Sequence, residues 1–178
     1  MRFEEQRVSG CYVVSLDLAE DERGFFARAF STQEFATAGL VAKIAQINMA
    51  RSEKAGTTRG IHWQAEPHQE AKLVRCIRGS VFEVCVDVRP GSDTWGLWTG
   101  VELTADNRLA FYVPPGCGNA YQALEDGSEV LYSTSAHYAP EAERGARWDD
   151  PAFSIDWPIK RGIVLSTKDL SWPDIDNR

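Results

Sequence analysis

Between Ala71 and Ile77 and between Ser80 and Val88 lie two runs rich in valine, isoleucine and other strand-forming residues. In the second, Phe82, Val84, Val86 and Val88 fall on one side of an extended backbone and Glu83, Cys85 and Asp87 on the other, because strand side chains alternate with a period of two. The alternation predicts one packed face and one face that lines something polar. Arg78-Gly79, between the runs, reads as a hairpin-like connection with glycine where a positive φ is needed. Similar runs predict strands over Cys11 to Leu16, Ile44 to Ala50, Gly60 to Trp63, Trp98 to Leu103, Leu109 to Val113, Ala120 to Leu124 and Glu129 to Ser135. Helical signals are sparse. Thr32 to Ala38 has Ser31 or Thr32 as a cap and Glu34 in its first turn, and a second short helix is expected around Thr167 to Leu170. Short strands separated by recurrent glycine and proline are the pattern of an all-β sandwich or barrel. The tail after Trp148, rich in proline, aspartate and tryptophan, is expected to wrap the rest. With no internal repeat, low-complexity segment or linker, residues 1–178 are expected to form a single domain.

Composition narrows the function classes. With 43% hydrophobic and 25% charged residues, the chain is too apolar to be disordered and too interrupted for a membrane protein. No apolar run approaches the roughly 20 residues that span a bilayer, and Met1 to Arg7 lacks the apolar stretch of a secretory signal, so a cytoplasmic location is expected. Cys11, Cys76, Cys85 and Cys117 are scattered and form no CxxC pair, which points to buried free thiols rather than a zinc site or disulfides. A net charge of -7 argues against a nucleic-acid partner, while leaving room for a small basic pocket.

Polar residues with chemical potential gather in and beside the predicted strands: Arg23, Gln46, Asn48, Arg59, His62, Lys72, Asn119, Tyr132, Tyr138 and Asp169. Taken singly, none marks a site. Their surroundings, in order, are Arg23-Gly24-Phe25-Phe26, Gln46-Ile47-Asn48, Arg59-Gly60-Ile61-His62-Trp63-Gln64, Lys72-Leu73-Val74-Arg75, Gly79-Ser80-Val81-Phe82-Glu83-Val84, Pro114-Pro115-Gly116, Leu131-Tyr132, Tyr138-Ala139-Pro140-Glu141 and Arg147-Trp148-Asp149-Asp150-Pro151. Together these stretches resemble the dTDP-4-dehydrorhamnose 3,5-epimerase family, most clearly from Arg23 to Pro158.

The resemblance implies a cupin-type jelly-roll β-barrel, a homodimer, a nucleotide-diphosphate sugar as substrate, and no metal or organic cofactor. Metal-binding cupins use an HxH pair and a later histidine. Here those positions read His62-Trp63-Gln64 and Asn119, from which an imidazole cluster cannot be assembled. The implied chemistry is epimerisation beside a ketone. The carbonyl at C4 acidifies the hydrogens on its neighbours, so a base, an oxyanion stabiliser and an acid on the opposite face suffice. By resemblance His62 is the base, Asp169 its orienting partner, Lys72 the stabiliser of the enolate oxygen and Tyr132 the acid. Arg59 and Arg23 would hold the diphosphate, Gln46 and Asn48 the pocket floor, and Phe26 and Tyr138 the nucleotide base.

Two positions depart from the family pattern. Arg28 stands where glutamate is common, at the nucleotide end of the pocket, and Asn119 replaces a histidine near the substrate. Asparagine hydrogen-bonds but carries no titrating proton. Inversion at both C3 and C5 is therefore weighed against three alternatives: a single-centre epimerase on a CDP- or GDP-linked 4-keto sugar, a non-catalytic sugar-nucleotide-binding barrel, and a metal-dependent cupin oxygenase.

Overall fold

The computed structural model describes residues 1–175. Its strands are β1 (Arg2–Glu5), β2 (Tyr12–Ser15), β3 (Ala19–Asp21), β4 (Gly24–Phe26), β5 (Gln46–Ser52), β6 (Thr58–Gln64), β7 (Lys72–Arg78), β8 (Ser80–Val86), β9 (Trp98–Thr104), β10 (Ala110–Val113), β11 (Gly118–Ala123), β12 (Ser128–Thr134) and β13 (Glu143–Gly145). Two short helices, α1 (Thr32–Thr37) and α2 (Thr167–Ser171), begin at the side-chain caps Ser31 and Ser166. Each cap oxygen accepts an N–H that the first helical turn leaves free. No helix among the described residues is long and apolar enough to cross a membrane.

The strands form a cupin-type jelly roll of two antiparallel sheets. One sheet has the order β1-β2-β10-β7-β12-β5 and the other β13-β6-β11-β8-β9, while β3 and β4 pair only with each other. Alternation then sorts the side chains. Val74 and Cys76 of β7, Val81 and Cys85 of β8, and Phe111 and Val113 of β10 meet between the sheets in one buried cluster. All four cysteines are buried and free. The outward positions are not left to water. Ala110 and Tyr112 pack under Phe35 of α1, and Val84 and Val86 pack under Phe153 and Trp157 of the tail, so the segment after Trp148 wraps the barrel as expected.

Two readings of the strand pattern need correction. Arg78-Gly79 is not a hairpin, because β7 and β8 lie in different sheets. It is a corner where the chain crosses between layers. Gly79 takes φ +68 there, and a Cβ would lie 2.7 Å from Ser128 Oγ. Second, both faces of β8 are packed: Phe82, Val84 and Val86 face the tail, while Glu83, Cys85 and Asp87 turn into the barrel. Strands β1, β3, β4 and β13 lack apolar alternation and were not anticipated. They sit at sheet margins or in a free hairpin, held mainly by backbone pairing, with Phe3 of β1 also packing on Phe35.

Asp87 is fully enclosed by this packing. It accepts from Arg89 Nε at 2.9 Å, Arg89 Nη2 at 2.6 Å, Ser92 Oγ at 2.6 Å and the Arg89 backbone N–H at 3.0 Å, as well as from Thr94. Burial pushes its pKa up, but these hydrogen bonds outweigh burial and hold it well below the usual carboxylate range. The stability contributed by Asp87 is therefore present above about pH 4, its unfolded range, and is lost as the pH falls toward the depressed folded value. Asp87→Ala, which strands the Arg89 charge, should lower stability by about 3 kcal/mol, measured by urea unfolding at neutral pH. The deficit should shrink as both proteins are acidified.

Candidate active site

At one end of the barrel the space between the sheets is lined largely by polar side chains. On one wall, Tyr132 of β12 stands opposite Asn48 of β5 and Val74 of β7, and Thr134 stands opposite Gln46 and Lys72. Register thus gathers Gln46, Asn48, Lys72, Tyr132 and Thr134 on one inward face. The facing wall supplies Arg59 and His62 from β6, Glu83 from β8, and Asn119 and Tyr121 from β11. Two cavities of about 360 Å³ and 290 Å³ share His62, Lys72 and Tyr132 and form one trough, of a size that suits a small ligand.

Plain alternation does not put Arg59 and His62 on the same face, since three residues separate them. A β-bulge does. Asn119 pairs with His62 and Tyr121 with Arg59, so β6 carries one residue more than its partner over this stretch. The extra residue falls at Gly60-Ile61, where Gly60 has φ +110 and a Cβ would lie 2.5 Å from the Asn119 carbonyl oxygen. The RGxH spacing is thus a bulge that aims both side chains into the trough while Ile61 packs outward under the tail.

His62 Nε2 lies 2.6 Å from Asp169 Oδ1. Asp169 Oδ2 accepts from Ser166 Oγ at 2.7 Å, and Ser166 Oγ in turn accepts the Asp169 N–H at 3.0 Å. Burial pushes the Asp169 pKa up, but the bonds from His62 and Ser166 prevail and keep it low. An ionised carboxylate only accepts, so Nε2 donates to it and Nδ1 is the ring nitrogen this contact leaves unengaged. Across the trough, Lys72 Nζ lies 3.4 Å from Glu70 Oε1, with both side chains largely buried. Burial, followed by the Glu70 charge, raises the Tyr132 pKa and keeps its phenol protonated. At the mouth, Tyr138 donates to Glu143 Oε2 at 2.9 Å, and its backbone N–H donates to Gln46 Oε1 at 2.8 Å.

Nine of the twelve sequence-predicted residues thus come together: His62, Lys72, Tyr132, Asp169, Gln46, Asn48, Arg59, Asn119 and Tyr138. Arg23, Phe26 and Arg28 do not join them within the chain. Arg23 pairs with Asp21 on the β3–β4 hairpin, Phe26 is 73% exposed, and Arg28 pairs with Glu34 at 3.4 Å. The hairpin belongs to neither sheet, so alternation and register do not carry it to the trough. Conversely, Glu70, Gln64, Thr134, Tyr121 and Glu83 line the trough without having been singled out. For Glu83 a signal existed, since it sits on the polar side of the alternating run. Gln64 is fully engaged, accepting from the Ala139 N–H at 2.6 Å and donating to the His68 carbonyl at 2.8 Å. No group of three or more His, Cys, Asp or Glu among the described residues is placed to hold a metal ion.

The sequence profile of the dTDP-4-dehydrorhamnose 3,5-epimerase family matches residues 5–177. The chain belongs to this family. It is 40% identical over 173 residues to the dTDP-4-dehydrorhamnose 3,5-epimerase of Methanothermobacter thermautotrophicus, covering 96% of this chain and 92% of the relative. Its fold superimposes on the crystal structure of the epimerase from Elizabethkingia anophelis with a TM-score of 0.94 at 35% identity, covering 97% and 95% of the two chains. A 3'-monoepimerase from Streptomyces bikiniensis, solved in complex with dTDP-quinovose, matches with a TM-score of 0.86 at 34% identity over 93% and 84%.

For this epimerase the bulge yields a direct test. Gly60→Ala combines a positive φ with a backbone clash, and should cost more than about 1 kcal/mol. The loss would be read as a lower urea midpoint at unchanged slope, with catalysis falling further than stability as His62 is displaced.

Proposed function

We propose that this epimerase inverts carbons 3 and 5 of a dTDP-linked 4-keto-6-deoxy sugar through an enolate, in the cytoplasm. The observation that carries the mechanism is the opposition of His62 and Tyr132 on facing sheets across one trough. His62 Nδ1 takes the acidified hydrogen from one side of the ring, and Asp169 stabilises the imidazolium that results. Lys72 supports the oxyanion as it forms, at a site where a compact ammonium is shielded from water. Tyr132, held neutral, returns a proton from the other side. Four unpaired thiols suit a reducing compartment. A second reading, inversion at one carbon, is favoured by Asn119, which offers no titrating group where the family has histidine.

His62→Ala should abolish deuterium incorporation beside the ketone in heavy water, followed by proton NMR, while dTDP binding stays measurable; retained exchange removes His62 as base. Tyr132→Phe should spare exchange more than net inversion, and equal loss of both contradicts the division of labour. In the unsubstituted enzyme, label at both carbons supports the first reading and label at one supports the second.

The proposal includes a homodimer in which the β3–β4 hairpin of one protomer closes the nucleotide end of its partner's trough. Its support is the exposure of Arg23, Phe25 and Phe26 on a hairpin that no other strand pairs with. Ile47 and Met49 are likewise exposed on β5, an open sheet edge. Mixing Arg23→Ala with His62→Ala protein should then restore activity that neither variant has alone, because exchanged dimers contain one intact site. No restoration after subunit exchange would place the hairpin elsewhere.

A further inference from the structure

The mechanism leaves one buried ionisable group of the trough unused. Glu83 has no solvent-accessible surface, yet it lines the inner cavity with His62, Lys72 and Tyr132. Its Oε1 accepts from Asn119 Nδ2, whereas its Oε2 has no hydrogen-bond partner. A buried polar atom without a partner costs about 1–3 kcal/mol, so an unpaired Oε2 in the wall of the cavity calls for an explanation.

We propose that Glu83 is a catalytic hydrogen-bond donor: a neutral carboxylic acid, oriented by Asn119, whose free oxygen carries a proton toward the sugar oxygen on which charge develops, alongside Lys72. The chemistry requires the neutral form. A carboxylate at this place would repel an enolate and draw the Lys72 charge to itself, whereas a carboxylic acid donates to the oxyanion and adds no charge. Burial supplies that form. It pushes the Glu83 pKa up to about 8, against smaller lowering effects from the Asn119 bond and the Lys72 charge.

The groups facing Glu83 do not reverse this balance. β7 presents Lys72 and Cys76, β12 presents Tyr132, and β11 presents Asn119 and Tyr121, while Val101 lies opposite on β9. Of these only Lys72 is cationic, and it is shared with Glu70. Arg59 and His62 from β6 line the same cavity, as do Lys168 and Asp169 around α2, but Arg59 is bound to the Arg51 carbonyl, Lys168 to Glu143 and His62 to Asp169. The departure at Asn119 then gains a meaning. A histidine at that position could take the proton that Glu83 needs, whereas an amide cannot.

This inference rests on reading the trough as the epimerase site. It is tested by steady-state kinetics over pH on Glu83→Ala and Glu83→Gln, with thermal melting and dTDP binding as controls on folding. Glu83→Ala should lower kcat about 100-fold, in the range for loss of one oxyanion donor, with KM changed less than about threefold, since the donor acts where charge develops. Glu83→Gln keeps an N–H donor and should lose less. In the unsubstituted enzyme kcat/KM should fall as pH rises through about 8, and Glu83→Gln should abolish that limb, which a merely structural role would not do. If Glu83→Ala retains kcat within about twofold, or if the same limb survives in folded Glu83→Gln, the proposal is overturned; should the alanine variant fail to fold, the limb decides. His62→Ala run in parallel separates the two claims. Loss of exchange there, with Glu83 variants tracking the parent, rejects Glu83 alone, whereas retained exchange in His62→Ala rejects the base assignment.

Discussion

A hydrogen removed from one side of a ring and replaced from the other demands two walls, each rigid and each carrying one partner. The jelly roll meets that demand because its inward faces oppose each other, filled by apolar side chains over one stretch and lined by polar ones over another. Val74 and Cys76 lie farther along the strand whose first residue is Lys72, and Val130 precedes Tyr132 on β12. The same strands therefore serve as core at one end and as reaction vessel at the other. Movement of a wall relative to its opposite would require the shared core to shear, which close packing resists.

Enclosure sets the chemistry as firmly as position does. Asp87, Asp169 and Glu83 all lie on or near the inner faces, and burial alone pushes each toward the neutral form. They differ in how deeply they are enclosed and in the donors that reach them. Asp87 receives a guanidinium and two hydroxyls, Asp169 an imidazole and a hydroxyl, and Glu83 a single amide. The first two stay ionised and act as anchor and orienter, while the third is driven the other way. Three carboxyls in one barrel are thus pushed in different directions by the balance of burial and hydrogen bonding.

Much of this was legible in residue order. Period-two alternation located the strands of both sheets wherever one side had to be apolar, and the ordered motifs brought nine of the twelve named residues to one trough. Strands β1, β3, β4 and β13 were illegible because backbone pairing, which leaves little compositional trace, holds them. The corner at Gly79 looked like a hairpin because glycine serves any reversal of direction, whichever sheet the chain enters next. The bulge at Gly60 explains why spacing alone could not have placed Arg59 beside His62. Arg23, Phe26 and Arg28 show the limit from the other side: a motif names residues that share a task without saying whether a single chain brings them together.

The partner of His62 comes from 107 residues farther along the chain, delivered by a short helix at the end of the tail wound over β6, β8 and β11. Imidazole orientation consequently depends on docking of a peripheral segment as well as on closure of the two layers. Detachment of that segment would take Asp169 from His62 and uncover Val84 and Val86 together, so the direction of the ring and the outer packing of the barrel stand or fall as one.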